Sequence, residues 1–104
     1  MNSKYEFTGE TVSFAGRVLK RIRATASFGD IASGEIGGWI ETEANLQVYG
    51  DAWVSGDAQV SGNAWVSDDA QVSGNAWVSD DAQVYGNALV YGNAQVSGDA
   101  WVYG

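Results

Sequence analysis

Residues 51–68 read DAWVSG DAQVSG NAWVSD, and this stretch decides the architecture. The same six-residue unit runs without a gap over residues 45–104, ten times in all. Val holds one fixed place, at Val48, Val54 and so on to Val102. Ala stands two residues earlier, from Ala52 to Ala100, with Leu46 in the first unit. Trp, Gln or Leu lies between them. Small–x–Val alternates with the period of a strand, so Ala and Val share one side and the middle residue takes the other. Ala and Val recur most strictly, so they form the buried set. The remaining places hold Ser or Tyr, then Gly or Asp, then Asp or Asn, which is turn chemistry. Gly and Asn accept a positive φ, and Asx side chains bond the nearby backbone. Each unit is therefore a short strand and a corner, and strands stack at about 4.8 Å. A helix fails, because positions i and i+2 do not share a helical face and Gly and Asx recur at every turn. The repeat makes a β-solenoid.

The number of units per coil has two readings. Trp occurs at 53, 65, 77 and 101, with Leu89 filling the gap, and Gln at 59, 71, 83 and 95. A 12-residue coil would stack the Trp in one ladder and the Gln in another. An 18-residue coil alternates Trp and Gln up each face. The shorter coil also stacks Asp57, Asp69 and Asp81 in one column and Asp68 on Asp80 in another. The longer one sets Asp68 and Asp80 over Gly, though it stacks Asp51 on Asp69 and Asp81 on Asp99. Opposed like charges destabilise a sheet, a weak vote for the longer coil.

The strings VYGDAWVSGDAQV (48–60) and NALVYGNAQV (87–96) resemble the hexapeptide-repeat proteins of bacteria and phages that are often labelled transferases. The head, KYEFTGET at 4–11, RVLKRIRA at 17–24 and FGDI at 28–31, resembles the leader of that group less specifically. The resemblance implies an all-β fold: a left-handed parallel β-helix, a hexapeptide-repeat solenoid of about 18 residues per coil, with a small N-terminal β cap. Enzymes of that fold are acyltransferases with a His base, or carbonic anhydrases with His-bound zinc. The chain has no His, so neither role carries over. The resemblance also suggests a phage or prophage origin.

Residues 1–30 do not repeat. Tyr5 and Phe7 alternate around Glu6 as in a strand, and residues 11–14 and 17–24 read as two more strands turning at Ala15-Gly16, an antiparallel cap carrying the basic segment. The solenoid is expected over 31–104, with regular hexads at 45–104. Gly38-Trp39-Ile40 imitates Ala-Trp-Val. Eight residues rather than six separate Ile40 from Val48, which predicts a bulged corner over 41–45. The last hexad is followed by no atypical unit, and repeat proteins normally need one. A homo-oligomer is expected, with a dimer through the C-terminal coil favoured.

The 104 residues fit one domain, with no Cys, no His and no Pro. All five basic residues lie in the first 23, a segment of net charge +3. Residues 24–104 carry 11 acids and no base. Direct nucleic-acid binding by the body is thereby excluded, since phosphate contacts need Lys and Arg. A basic protein partner is permitted. Residues 1–9 have no apolar run, so no signal peptide is expected; nor is a membrane span, and the expected location is cytoplasmic.

Two surfaces stand out. In the 18-residue register one face collects Trp65 and Trp101, with Tyr49, Tyr85 and Tyr103 along its corner; Trp65, Tyr85, Trp101, Val102 and Tyr103 are the candidate interface. The plainer reading is that aromatics simply suit a pleated, half-exposed face. The acids Asp57, Asp68, Asp69, Asp80, Asp81 and Asp99 form the candidate acidic surface, and an array of this kind could mimic the phosphates of a nucleic acid toward a host enzyme. The plainer reading makes them corner residues. No cofactor is expected: Gly34-Glu35-Ile36-Gly37-Gly38 is too loose for a phosphate loop and no Lys follows it. The Glu41/Glu43 pair reads as solvated carboxylates, and no catalytic residue is assigned. The expected function is a non-catalytic structural or binding module; a degenerate acyltransferase is the third reading.

Overall fold

The structure, a computed structural model, describes residues 4–14 and 16–104. Every inter-coil strand pairing from Trp53 onward has an offset of 18. Gln59 lies beside Trp77, Trp77 beside Gln95, Trp65 beside Gln83 and Gln71 beside Leu89. Three hexads therefore close one coil, and Trp and Gln alternate along each face.

The described residues make twelve strands. β1 (Tyr5–Phe14) and β2 (Arg17–Ala24) form an antiparallel hairpin, and β3 (Ile36–Ile40) begins the solenoid. Two-residue strands follow: β4 (Trp53–Val54), β5 (Gln59–Val60), β6 (Trp65–Val66), β7 (Gln71–Val72), β8 (Trp77–Val78), β9 (Gln83–Val84), β10 (Leu89–Val90), β11 (Gln95–Val96) and β12 (Trp101–Val102). The first face holds β3, β5, β8 and β11, the second β6, β9 and β12, and the third β4, β7 and β10. The coils make about four turns. Down the stack, the N–H of residue i donates to the carbonyl of residue i+17, as from Trp53 to Ala70 and from Gln59 to Ala76. Inside, Ala and Val from Ala52 to Val90 are buried, as the period-two pattern requires.

The corners explain the Gly and Asx rhythm. Gly56, Gly62 and Gly74 have φ of 63, 64 and 68°, and Asp68 and Asp80 take the same conformation with φ of 59 and 60°. Left-handed backbone disfavours most residues, and Asp is among the few that tolerate it. Each of these two carboxylates then accepts the N–H of the glycine one coil later, Asp68 from Gly86 and Asp80 from Gly98, both at 3.1 Å. Setting Asp over Gly thus replaces a repulsion with a hydrogen bond.

The N-terminal end departs from the sequence reading in two places. Residues 5–14 form one strand, broken in register between Phe7 and Thr11, rather than one strand around Tyr5–Phe7 and another at 11–14. Of the expected turn, Ala15 lies outside the described residues and Gly16 has φ 79°. The extra residues also fall one corner later than expected. Leu46 pairs with Val66, so six residues separate Ile40 from Leu46, and Leu46 rather than Val48 occupies the buried place. The short 3-10 turn at Glu43–Asn45 makes an ordinary-length corner. Asn45 locks it: its Oδ1 accepts the N–H groups of Glu41 and Thr42, and its Nδ2 donates to the carbonyls of Gly62 and Ala64. Gln47 then occupies the place of Ser67, donating its N–H to Val66, while Gly50 packs against Asp68. Val48 and Tyr49 are the two added residues, and regular spacing begins at Asp51.

The hairpin covers this end. β2 pairs antiparallel with β3, so the hairpin extends the first face into a six-stranded sheet. Tyr5, Leu19 and Ile22 are buried. The Tyr5 hydroxyl donates to the Leu46 carbonyl at 2.8 Å, clamping β1 to the second face. Trp53 sits on the first strand of the third face and is only 2% exposed. Its ring packs edge-on against Tyr5 and Phe28, and Gly37 leaves the room it occupies.

Candidate functional site

The second face brings together the aromatic residues singled out from the sequence. Trp65 on β6 and Trp101 on β12 flank Gln83 on β9. Their alternation with Ala and Val points them outward, and they are 41% and 64% exposed. Tyr85 and Tyr103 occupy the corner beside this face, one coil apart. Their rings stack at 5.2 Å with an interplanar angle of 15°. Tyr103 remains 66% exposed. A shallow groove of about 200 Å³ runs along the same face between Trp65, Gln83 and Tyr85. Tyr49 does not join this column. The two-residue insertion displaces it, so Gln47 takes the place over Ser67, and Ser67 separates that place from Tyr85.

Val102, the fifth candidate interface residue, faces the interior of the last coil and is half-buried, as is Val96. Ala94 and Ala100 are exposed. The equivalent Val and Ala one coil earlier are buried. The aromatic face therefore runs continuously into an apolar edge at the last coil.

The acidic candidates are dispersed over three corners. Asp80, Asp81 and Asp99 lie on the corner between the first and second faces, Asp68 and Asp69 on the next, and Asp57 on the third. Several carboxylates have structural work. Asp68 and Asp80 bond to glycine N–H groups, Asp81 accepts from Asn63, and Asp57 lies 3.8 Å from Arg21. Among the described residues, no three carboxylates gather as ligands for a cation.

Much of the basic head is spent on the same molecule. Arg17 pairs with Glu41 at 2.9 Å, and Arg23 pairs with Glu6 across the hairpin. Arg21 stacks over Trp39 and Lys20 over Phe7. Glu41 is not the solvated carboxylate expected. Its Oε1 accepts the Gly62 N–H at 2.7 Å, and that bond, more than Arg17, holds its carboxyl below the usual range. Lys4 is buried, lies over Phe28 and donates to the Gln47 carbonyl at 2.9 Å. Burial pushes its ammonium down to about 8, against the opposing pull of Asp51 and Asp69.

An open polar groove of about 730 Å³, not anticipated from the sequence, follows the corner lined by Arg17, Glu41, Asn45, Asn63 and Asp81. It exists because the hairpin end overhangs the corner, a tertiary placement with no local signature. Among the described residues, no helix is long and apolar enough to cross a membrane.

The family model described as the YdcK β-solenoid repeat matches residues 46–62, 58–70, 70–83 and 82–98. Together these matches span slightly more than half of the chain. The match names a repeat architecture and no activity. No curated protein matches the chain.

Proposed function

The chain belongs to the YdcK β-solenoid repeat family, and on that premise we propose that it is a non-catalytic structural module that self-associates through the second face and the last coil. One observation carries the reading. Trp65 and Trp101, on either side of Gln83, and the stacked, partly exposed Tyr85–Tyr103 pair share one aromatic-rich side that meets the apolar edge at Val102. Exposed aromatic strips continuous with an apolar edge are the composition of interface cores. A rigid solenoid presents such a strip without the ordering cost that a loop would incur.

The test is mass in solution by sedimentation at micromolar concentration. The native chain should sediment as an oligomer, and the double variant Trp101→Ala, Tyr103→Ala should shift to the monomer. Trp65→Ala lies far from the last coil and reports on the face alone. A monomeric native chain, or an unchanged mass in the double variant, removes the proposal.

A further inference from the structure

A second cleft lies away from the aromatic strip. It opens between the end of the hairpin and the first face and has a volume of about 300 Å³. Phe14, Leu19 and Trp77 give it apolar walls, with Phe14 and Trp77 packed edge-to-face at 4.4 Å. Its polar lining includes Gln59, Arg17 and Asp80. The size and the ratio of apolar wall to polar group match a pocket for one small group.

Three features specify that group. First, the Gln59 side-chain oxygen in this wall is buried and has no hydrogen-bond partner. An unsatisfied buried acceptor costs free energy unless a donor reaches it. Second, the charge at the cleft is negative on balance even with Arg17 in its wall, because Glu41 pairs with that arginine. Arg17 spends its Nη1 on both oxygens of Glu41, whereas Asp80 uses Oδ2 for the Gly98 N–H, and Asp81 and Asp99 stand on the same corner. Residues 24–104 hold no base to offset them. Third, Trp77 presents an indole to this cleft and remains partly exposed, whereas Trp39 on the same face already carries Arg21. A flat cation with several N–H donors answers all three, because it stacks on an indole, donates to an amide oxygen and pairs with a carboxylate.

We infer that this cleft seats a guanidinium group, the arginine side chain of a partner protein. Lysine fits less well, since its ammonium is a compact, strongly hydrated charge that cannot stack flat. The site is independent of self-association, which uses Trp65 and Trp101 on a different face.

The experiment follows the indole N–H signals of the intact chain by NMR, with Trp77→Phe to assign the Trp77 signal. The probes are acetyl-Gly-Arg-Gly-amide and its citrulline counterpart, which keeps the shape and loses the charge. The arginine peptide should move the Trp77 signal saturably and leave Trp65 and Trp101 in place. Citrulline should bind about tenfold more weakly, since charge-assisted bonds are about twice as strong as neutral ones. Asp80→Asn keeps an acceptor for Gly98 and tolerates the same backbone, so it folds and removes only the charge; it should weaken the arginine peptide about fivefold or more. Equal binding of the citrulline peptide, equal movement of all the indoles, no movement of Trp77, or full binding by Asp80→Asn each overturns the inference.

Discussion

The two ends of the solenoid are built from the same repeat and differ in almost everything but sequence. Trp53 and Trp101 stand in the same place of the same hexad, flanked by Ala and Val. Trp53 is 2% exposed and Trp101 is 64% exposed. Val54 is buried, while Val102 is half-buried. At the first end a hairpin lies over the coil and supplies Tyr5 and Ile22 as neighbours, and the segment that follows it adds Phe28. At the last coil the equivalent places are not covered by any other layer of the described residues. In a stack of this kind, a residue's burial is set by what lies along the axis, and the residue type only makes burial acceptable.

The sharpest way to break this comparison is to truncate the two indoles. Trp53→Ala should cost about 3–5 kcal/mol in urea unfolding, the range for a large aromatic removed from a core. Trp101→Ala should cost about 0.5 kcal/mol or less in the monomer, as expected of an exposed side chain. Equal costs would show that the hairpin contributes no packing to its end.

A smaller contrast separates steric from conformational cost. Gly74 and Gly92 share a column and a backbone conformation, with φ of 68 and 66°. A Cβ on Gly74 would come within 2.9 Å of the Gly92 N–H nitrogen, whereas a Cβ on Gly92 meets nothing within 4 Å. Gly92→Ala should therefore cost only the left-handed conformation, about 1–2 kcal/mol. Gly74→Ala should exceed it by about 1 kcal/mol or more, because backbone rather than a mobile side chain blocks it. Matching losses in thermal unfolding would place the next coil further away than the structure does.

The last expected effect concerns pH at the covered end. Burial holds Lys4 at about 8, below the 10.5 of an exposed lysine. Between those values the unfolded chain binds the extra proton, so stability rises with pH across that window. Below about pH 8 the charged, buried Lys4 gives its full destabilisation. Lys4→Met should abolish the rise in Tm between pH 8 and pH 10. Persistence of the rise in Lys4→Met would assign it to other groups.

The repeat was legible because Ala and Val recur at fixed spacing, and their burial is what the coil consists of. The membership of each face was legible too: Trp65 with Trp101, Trp53 with Leu89, and Trp77 alone among the hexad tryptophans of the first face follow from an 18-residue coil. What escaped was non-periodic. Nothing local distinguishes Val48 from Leu46 as the buried residue; the Tyr5 hydroxyl and the Asn45 side chain make that choice from a distance. The burial of Trp53 and the cleft beside Trp77 both arise where the hairpin crosses the coils, and a repeat pattern carries no record of what crosses it.

The pair Val48-Tyr49 has a consequence for how such a chain can grow. Two residues are added at one corner, yet Gly50 and Asp51 rejoin the column and Trp53 pairs with Gln71 in step. The strand triplets must keep phase, but the corners need not keep length. A corner facing solvent is thus a place where this architecture can take in new sequence, a loop or a recognition segment, and return to rhythm within one side of the triangle.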